Sequence, residues 1–234
     1  MRIVAISDTH SQHKAVTDDL PGGDLLIHAG DWTSGGYKFE IKDFLKWIHN
    51  RTFDFDYVTY IAGNHDRLVE DSPSKFRELL NEKFPNKHSI KYLQDEEIEV
   101  DFMNDEKVKI YGSPWQPEFH DWAFNLKRGG DEIWEKWQAI PEDTDILVTH
   151  GPPFSRLDLS LYGHRNVGCE LLNMRVQTIK PKIHIFGHVH SSYGYSFDGN
   201  THYINACVLN EQYKYKNKPI VFDWNPITNE IKFV

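Results

Sequence analysis

The chain has 234 residues, 39% of them hydrophobic and 26% charged, with a formal net charge of −9. This is the composition of a folded α/β protein with length enough for one substantial core, and the acidity excludes a broad nucleic-acid surface, which needs clustered Lys and Arg. It does not exclude a small phosphate ester, because bound dications reverse the sign of a cleft. Cys169 and Cys207 have no CxxC spacing, which argues against a zinc knuckle or a disulfide framework. The opening residues run straight into a motif rather than a signal peptide, and no run approaches the ~20 apolar residues of a membrane helix. The expectation is a single domain over 1–234, reduced and cytoplasmic.

In chain order, residues 2–7 read as a buried strand, a short β-branched run without helical spacing, and Asp8-Thr9-His10 follows it. Pro21-Gly22-Gly23 turns the chain into a second apolar run, 24–29, that ends at Gly30-Asp31. The spacing of Ile41, Phe44, Leu45, Trp47 and Ile48 predicts a helix over 37–50. A third strand, 56–62, ends at Gly63-Asn64-His65-Asp66. Ser72-Pro73 predicts a helix start with Ser72 as N-cap. Two runs of period two, 98–102 and 108–111, predict a hairpin turning at Asn104-Asp105. An aromatic loop over 112–121, a helix over Asp131–Gln138 and a strand over 145–149 follow, and that strand delivers His150. A helix over 168–179 leads to a strand, 182–186, that delivers Gly187-His188-Val189-His190. Asp198-Gly199-Asn200 reads as a turn between two strands, and 220–222 and 231–233 as closing strands.

Each chemically active piece stands at the end of an apolar run, which in open α/β sheets is where ligands bind. A two-metal hydrolase needs a ligand that bridges both ions, and a carboxylate does this well. Asp31, alone behind a glycine, is the natural bridge; Asp8, His10 and His190 complete one ion, and Asn64, His150 and His188 the other. The mixed nitrogen and oxygen donors suit Mn, Fe, Zn or Co better than Ca. The expected cofactor is two divalent ions, manganese first, with iron, zinc, cobalt or magnesium as alternatives.

His65 directly follows Asn64, so the two side chains diverge, and His65 is placed to face the substrate. It would protonate the leaving oxygen or stabilise developing charge. Asp66 would orient its ring. The expected reaction is in-line attack by a metal-bridging hydroxide. In the loop after His150, His164 and Arg165 are candidates for substrate contact, Arg165 through phosphate, against the alternative of a solvated loop. Asn64 also borders the substrate. His28 and His184 read as packing, as do Trp115, Trp122 and Phe124 ahead of a base-stacking role, and Cys169 reads as buried and inert.

The set Asp8/His10, Asp31, Asn64/His65/Asp66, His150 and His188/His190 resembles the motifs of the calcineurin-like metallophosphoesterase superfamily. Residues 110–117, 122–124, 149–153, 167–169 and 182–188 are similar to its small metallophosphoesterase-domain (MPPED) branch. The resemblance implies an α/β fold, a four-layer α-β-β-α sandwich of two packed mixed β-sheets flanked by helices. It implies phosphodiester hydrolysis, cyclic nucleotides included, and some members of the branch bind nucleoside monophosphate. Some also carry glycine where this chain has His190, a change that goes with weak catalysis, so the histidine implies a competent enzyme. The leading expectation is a metal-dependent phosphodiesterase for small substrates, a nucleotide among them, with no extended nucleic-acid surface and no membrane. The alternatives are a phosphomonoesterase or protein phosphatase on the same metal core, or a metal-binding scaffold without catalysis, which the full ligand set disfavours.

Overall fold

Strands covered on both faces read as unbroken apolar runs, and such runs build the centre of both sheets. The computed structural model describes residues 1–84, 89–101, 106–161 and 163–234. In the first sheet β1 (Arg2–Ile6), β2 (Gly23–His28), β3 (Phe55–Tyr60) and β4 (Ile90–Tyr92) are parallel. β15 (Ile220–Asn225) pairs antiparallel with β1, and β16 (Glu230–Phe233) with β15, giving the order β16-β15-β1-β2-β3-β4. In the second sheet β6 (Lys107–Ser113), β9 (Ile146–Thr149), β12 (Ile183–Phe186) and β14 (His202–Asn205) are parallel. Antiparallel edges β5 (Glu96–Asp101) and β13 (Gly194–Phe197) complete the order β13-β14-β12-β9-β6-β5. Two short ribbons, β7 (Gln116–Pro117) with β8 (Asn125–Leu126) and β10 (Leu159–Ser160) with β11 (Arg165–Asn166), lie outside the sheets.

Alternation along the strands sorts the core into three seams. Ile3, Ala5, Leu25 and Ile27 meet Ile110, Ile146, Val148 and Ile185 between the sheets. Val4, Ile6 and Leu26 turn the other way, onto Ile41, Phe44 and Ile48 of α2 (Lys38–Arg51) and Phe76 and Leu79 of α4 (Pro73–Lys83). On the second sheet Leu147, Phe186 and Tyr203 pack on Ile133 and Trp137 of α5 (Asp131–Gln138) and on Leu172 and Val176 of α6 (Glu170–Ile179). The result is the four-layer helix, sheet, sheet, helix arrangement. One-turn helices α1 (His13–Val16) and α3 (Arg67–Asp71) cross the upper rim. Among the described residues no helix is long and apolar enough to cross a membrane.

Three local expectations change. α4 starts at Pro73, but the Ser72 side chain makes no capping bond. α6 starts at Glu170, not 168, and the Cys169 sulfur caps it by accepting Leu172 N–H at 3.5 Å. β4, three residues long, is too short for any periodicity to announce it. Phe102 and the Asn104-Asp105 turn lie outside the described residues.

The turn joining β13 and β14 carries a stability determinant. Asp198 accepts Asn200 N–H, Thr201 N–H, Arg156, Gln177 and Tyr203, and its side chain is 11% exposed. Burial would raise its carboxyl, but the hydrogen bonds from Thr201, Gln177, Asn200 and Tyr203 outweigh it and pull the pKa down to about 2. An unfolded Asp titrates near about 3.9, so the ionised form stabilises the fold by about 2 kcal/mol above that pH. Asp198→Ala is expected to lose about this much unfolding free energy at neutral pH. In urea titrations the gap between the two proteins should close as pH falls from about 4 to about 2.

Candidate metal centre

The carboxyl ends of β1, β2, β3, β9 and β12 meet at one rim, and the chain turns sharply after β1, β2 and β12. Asp8 (φ 55°), His10 (φ 37°), Asp31 (φ 55°) and His188 (φ 66°) all sit in the left-handed region. Such backbone costs on the order of 1–3 kcal/mol per residue and persists only where the surroundings enforce it. Here Asp8 N–H bonds Gly30 O and His10 N–H bonds Asp31 O, both at 3.0 Å, which locks the turns after β1 and β2 together. Two motif glycines give room. A Cβ at Gly63 would fall on Asp31 Oδ1 and the His150 ring, and one at Gly187 on Asp8 Oδ2 and Ser7 Oγ.

The turns bring every ligand candidate to one place. His150 Nε2 lies 3.4 Å and His10 Nε2 3.7 Å from Asp31 Oδ2. His190 Nε2 is 3.2 Å from Asp8 Oδ1, and His150 Nε2 is 3.0 Å from Asn64 Oδ1. His188 donates its backbone N–H to Asp8, and its ring centroid is 5.1 Å from that of His150. Three sets of donor atoms lie within 4.8 Å of one another: Asp8, His190 and Cys207; His10, Asp31 and His65; Asp31, His150 and His188. Asp31 belongs to two of them.

The imidazole tautomers are fixed from behind. His150 Nδ1 faces Ala29 O at 2.9 Å and His190 Nδ1 faces Asn210 O at 3.0 Å. A carbonyl only accepts, so each Nδ1 carries hydrogen and each Nε2 points into the centre, the usual arrangement behind a metal ligand. His10 is the test of fit. Both of its ring nitrogens are buried without a hydrogen-bond partner, which a protein rarely tolerates. A cation beside Asp8 and Asp31 would take His10 Nε2 and both carboxylates together, so these residues suit divalent metal.

The electrostatics agree. Burial raises the Asp8 carboxyl, but the His190 hydrogen bond and the charges of His190, His150 and His10 hold it well below the carboxylate range. Asp31 is likewise pulled down against its burial, chiefly by His150 and His65. In return His150 and His190, opposed by burial, are drawn up to about 9 by Asp31 and Asp8 respectively. Where burial wins, His10 falls to about 4 and His188 to about 3. Two buried carboxylates thus create a strongly cation-attracting floor.

Asp66 does not take its expected place. Its oxygens accept Asp31 N–H (3.0 Å), Gly63 N–H (2.8 Å), Thr33 N–H (2.9 Å) and the Thr33 hydroxyl (2.8 Å), and no hydrogen bond joins it to the His65 ring. The carboxylate ties its own turn, at Gly63, to the turn after β2, at Asp31 and Thr33. Asp66 therefore holds backbone, and burial and the Asp31 charge push its carboxyl up to about 8 against those bonds. His65 instead sets Nδ1 against Ser34 O at 2.7 Å and lays its ring on Trp122, with centroids 4.1 Å apart and planes at 27°.

Above this floor opens a cavity of about 750 Å³, lined among others by Asn64, His65, Phe119, Trp122, Arg165 and Tyr213. Arg165 lines it but His164, exposed at φ 48°, does not. His164 stands in the turn before β11 and Arg165 is the first residue of that strand, which separates the two candidates. Trp115 and Phe124 pack on each other, and His28 and His184 are buried with Nε2 on Thr9 and Thr149, all as expected of packing residues.

The sequence reading missed three residues, Cys207, Tyr213 and Ser34, and read Trp122 as packing. Cys207 Sγ donates to Asp8 Oδ2 at 3.1 Å, and Tyr213 places its ring 4.8 Å from His10 and 5.2 Å from His190. Ser34 and Trp122 hold His65. Only Cys207 left a signal, standing just past an apolar strand that ends at the same rim.

The chain matches the family model described as calcineurin-like phosphoesterase over residues 1–192. It is 41% identical over 240 residues to metallophosphoesterase domain-containing protein 1 of Homo sapiens, covering 95% of this chain and 70% of that one. A UPF0046 protein of Caenorhabditis elegans is 36% identical over 249 residues, covering 95% and 60%. Among solved structures, a protein of Thermus thermophilus superposes with TM-score 0.64 at 12% identity, over 100% of this chain and 97% of that one. GAP50, the anchor in the inner membrane complex of Plasmodium, gives 0.54 at 12% identity over 95% and 80%. At that identity the two structures speak for the fold alone.

Proposed function

We infer the function from one premise: the chain belongs to the calcineurin-like phosphoesterase family. The family acts on phosphoric esters with a dinuclear divalent metal centre, so the general activity is metal-dependent phosphoester hydrolysis. We propose that the substrates are small phosphodiesters, cyclic nucleotides among them. The observation that carries this reading is the Asp31 carboxylate, shared by two donor sets on the floor of a 750 Å³ cavity.

In this reading Asp31 would be the ligand common to two ions, with Asp8, His10 and His190 holding one and Asn64, His150 and His188 the other. Manganese is the first choice for this mixed nitrogen and oxygen set, with Fe, Zn, Co or Mg able to replace it. When bound, the ions supply an activated water nucleophile and neutralise charge on the phosphoryl group. His65 gives a proton to the leaving oxygen from Nε2, the ring atom that Ser34 O leaves unengaged on its side. Arg165 reaches toward the phosphate from the cavity wall.

Charge favours the diester over the monoester. Glu118, Glu170 and Glu211 line the cavity, and Arg128 is spent on Glu170 at 2.6 Å. A diester monoanion meets less repulsion there than a monoester dianion. The two cysteines are unpaired, in keeping with a cytoplasmic protein.

A hydrolysis panel with Mn²⁺ tests the substrate class. Aryl and cyclic diesters should be turned over faster than an aryl monoester, and the reverse order overturns the diester reading. His65→Ala tests the proton donor. It should keep both ions and lose turnover by on the order of 10²–10⁴-fold, less for very acidic leaving groups, which need no proton. Equal loss for all leaving groups would reassign His65 to charge stabilisation.

A further inference from the structure

A proton donor works only if its ring is held in one orientation, and Asp66 does not hold His65. Resting on the reading of His65 as the acid for the leaving group, we propose that Trp122 is a positioning residue for the His65 ring. It acts with the Ser34 carbonyl in the place that the sequence suggested for Asp66.

Two constraints fix the ring. The Nδ1 contact to Ser34 O at 2.7 Å fixes one axis. A single hydrogen bond still lets a ring turn about that axis. The Trp122 indole, 4.1 Å away at 27°, removes the remaining freedom, and His10 meets the ring edge-on at 4.6 Å and 87°. Nδ1 is engaged by Ser34 O, which leaves Nε2 as the free ring nitrogen of a side chain that lines the cavity together with Trp122.

Both supports are themselves anchored. Ser34 gives its N–H to Glu40 Oε1 and its hydroxyl to His10 O, and Glu40, buried at the start of α2, also collects Gly35 N–H and Tyr37 N–H. On the other side, Ala123 N–H bonds Asn64 O at 3.1 Å and Arg67 Nη1 bonds Asp121 O at 3.0 Å. Phe124 N–H bonds Glu70 Oε2 at 2.7 Å. The residues on either side of Trp122 are therefore tied to Asn64 and Arg67, within two positions of His65. Platform and imidazole form one unit, and the platform is not a loop side chain waiting for a base. One face of the indole is already taken by His65.

The chemical consequence is geometric. As the P–O bond breaks, its electron pair stays on the leaving oxygen, which takes the Nε2 proton while water supplies the new P–O bond. A donor displaced by about 1 Å can cost on the order of 10²-fold in such a step. One aromatic contact sets a smaller scale, a factor of up to about ten.

The experiment compares Trp122→Ala, Trp122→Phe and His65→Ala on manganese-loaded protein, with diphenyl phosphate and bis(4-nitrophenyl) phosphate as poor and good leaving-group substrates. Trp122→Ala should lower kcat about tenfold on the poor substrate and at most about twofold on the good one. KM and bound manganese should be unchanged, and Trp122→Phe should recover most of the loss. A second readout needs no catalysis. The His65 ring-proton NMR signals of metal-free protein, identified by their loss in His65→Ala, should shift in Trp122→Ala because the indole ring current is gone. Equal kcat losses on both substrates, a loss confined to KM, or unmoved His65 signals would each overturn the proposal. If His65→Ala shows the leaving-group pattern and Trp122→Ala does not, only the role of Trp122 falls. If His65→Ala lacks the pattern, the reading of His65 falls and the proposal with it.

Discussion

Asp31→Asn is expected to reduce hydrolysis by about 10³-fold, the upper scale for deleting one catalytic electrostatic element, and to empty both ion sites together. The chemistry of the substitution is specific. Asp31 Oδ1 accepts His65 N–H at 2.7 Å, a bond that an asparagine oxygen can keep. Oδ2 lies between His150 Nε2 and His10 Nε2, at 3.4 and 3.7 Å. In the variant that position carries an NH₂ group, which donates hydrogen and repels cations. The turn therefore survives while the shared donor is lost. Losses confined to one ion would make Asp31 an ordinary ligand, and two full sites by metal analysis would reject the bridging role.

Gly187→Ala should be the most damaging change of a single methyl group. Gly187 follows β12, and a Cβ there would overlap Asp8 Oδ2 and Ser7 Oγ. Neither can retreat. Ser7 and Asp8 are fully buried, and Asp8 Oδ2 is already bonded to Cys207 Sγ and His188 N–H. Overpacking of this kind costs about 3 kcal/mol, which for a chain this long is a melting-point drop of roughly 6–12 °C. Thermal unfolding should be measured on metal-stripped proteins, so that lost ion binding does not add to the result. The same variant should lose hydrolysis, because the clash falls on the Asp8 carboxylate. A melting point within a degree or two of the parent would show that the turn is looser than this packing implies.

The layers and the ligand set were legible because each signal is local. Apolar runs such as 24–29 can only be strands buried on both faces, and Asp31 or His188 follows its run within two residues. What the sequence hid is non-local or conformational. The partners of His65 are Ser34 and Trp122, 31 and 57 positions away, whereas the adjacent Asp66 was the obvious guess. Sequence adjacency misled because Asp66 spends its oxygens on Gly63 of its own turn and on Asp31 and Thr33 of the turn after β2. The left-handed backbone at Asp8, His10, Asp31 and His188 has no sequence mark, since none of the four is glycine. Cys207 reaches Asp8 because it forms a parallel bridge with Ser7, a pairing no motif encodes. His164 and Arg165 were indistinguishable until the fold left His164 in the turn and brought Arg165, at the start of β11, to the cavity.

Titrating Mn²⁺ into metal-stripped protein, while following bound ion and diester hydrolysis in the same samples, tests the central claim most directly. The shared Asp31 carboxylate predicts binding that saturates at two ions per chain, with hydrolysis absent at the start and rising to its plateau as the second ion enters. Hydrolysis that survives stripping, or that reaches its plateau at one ion, would contradict the dinuclear account.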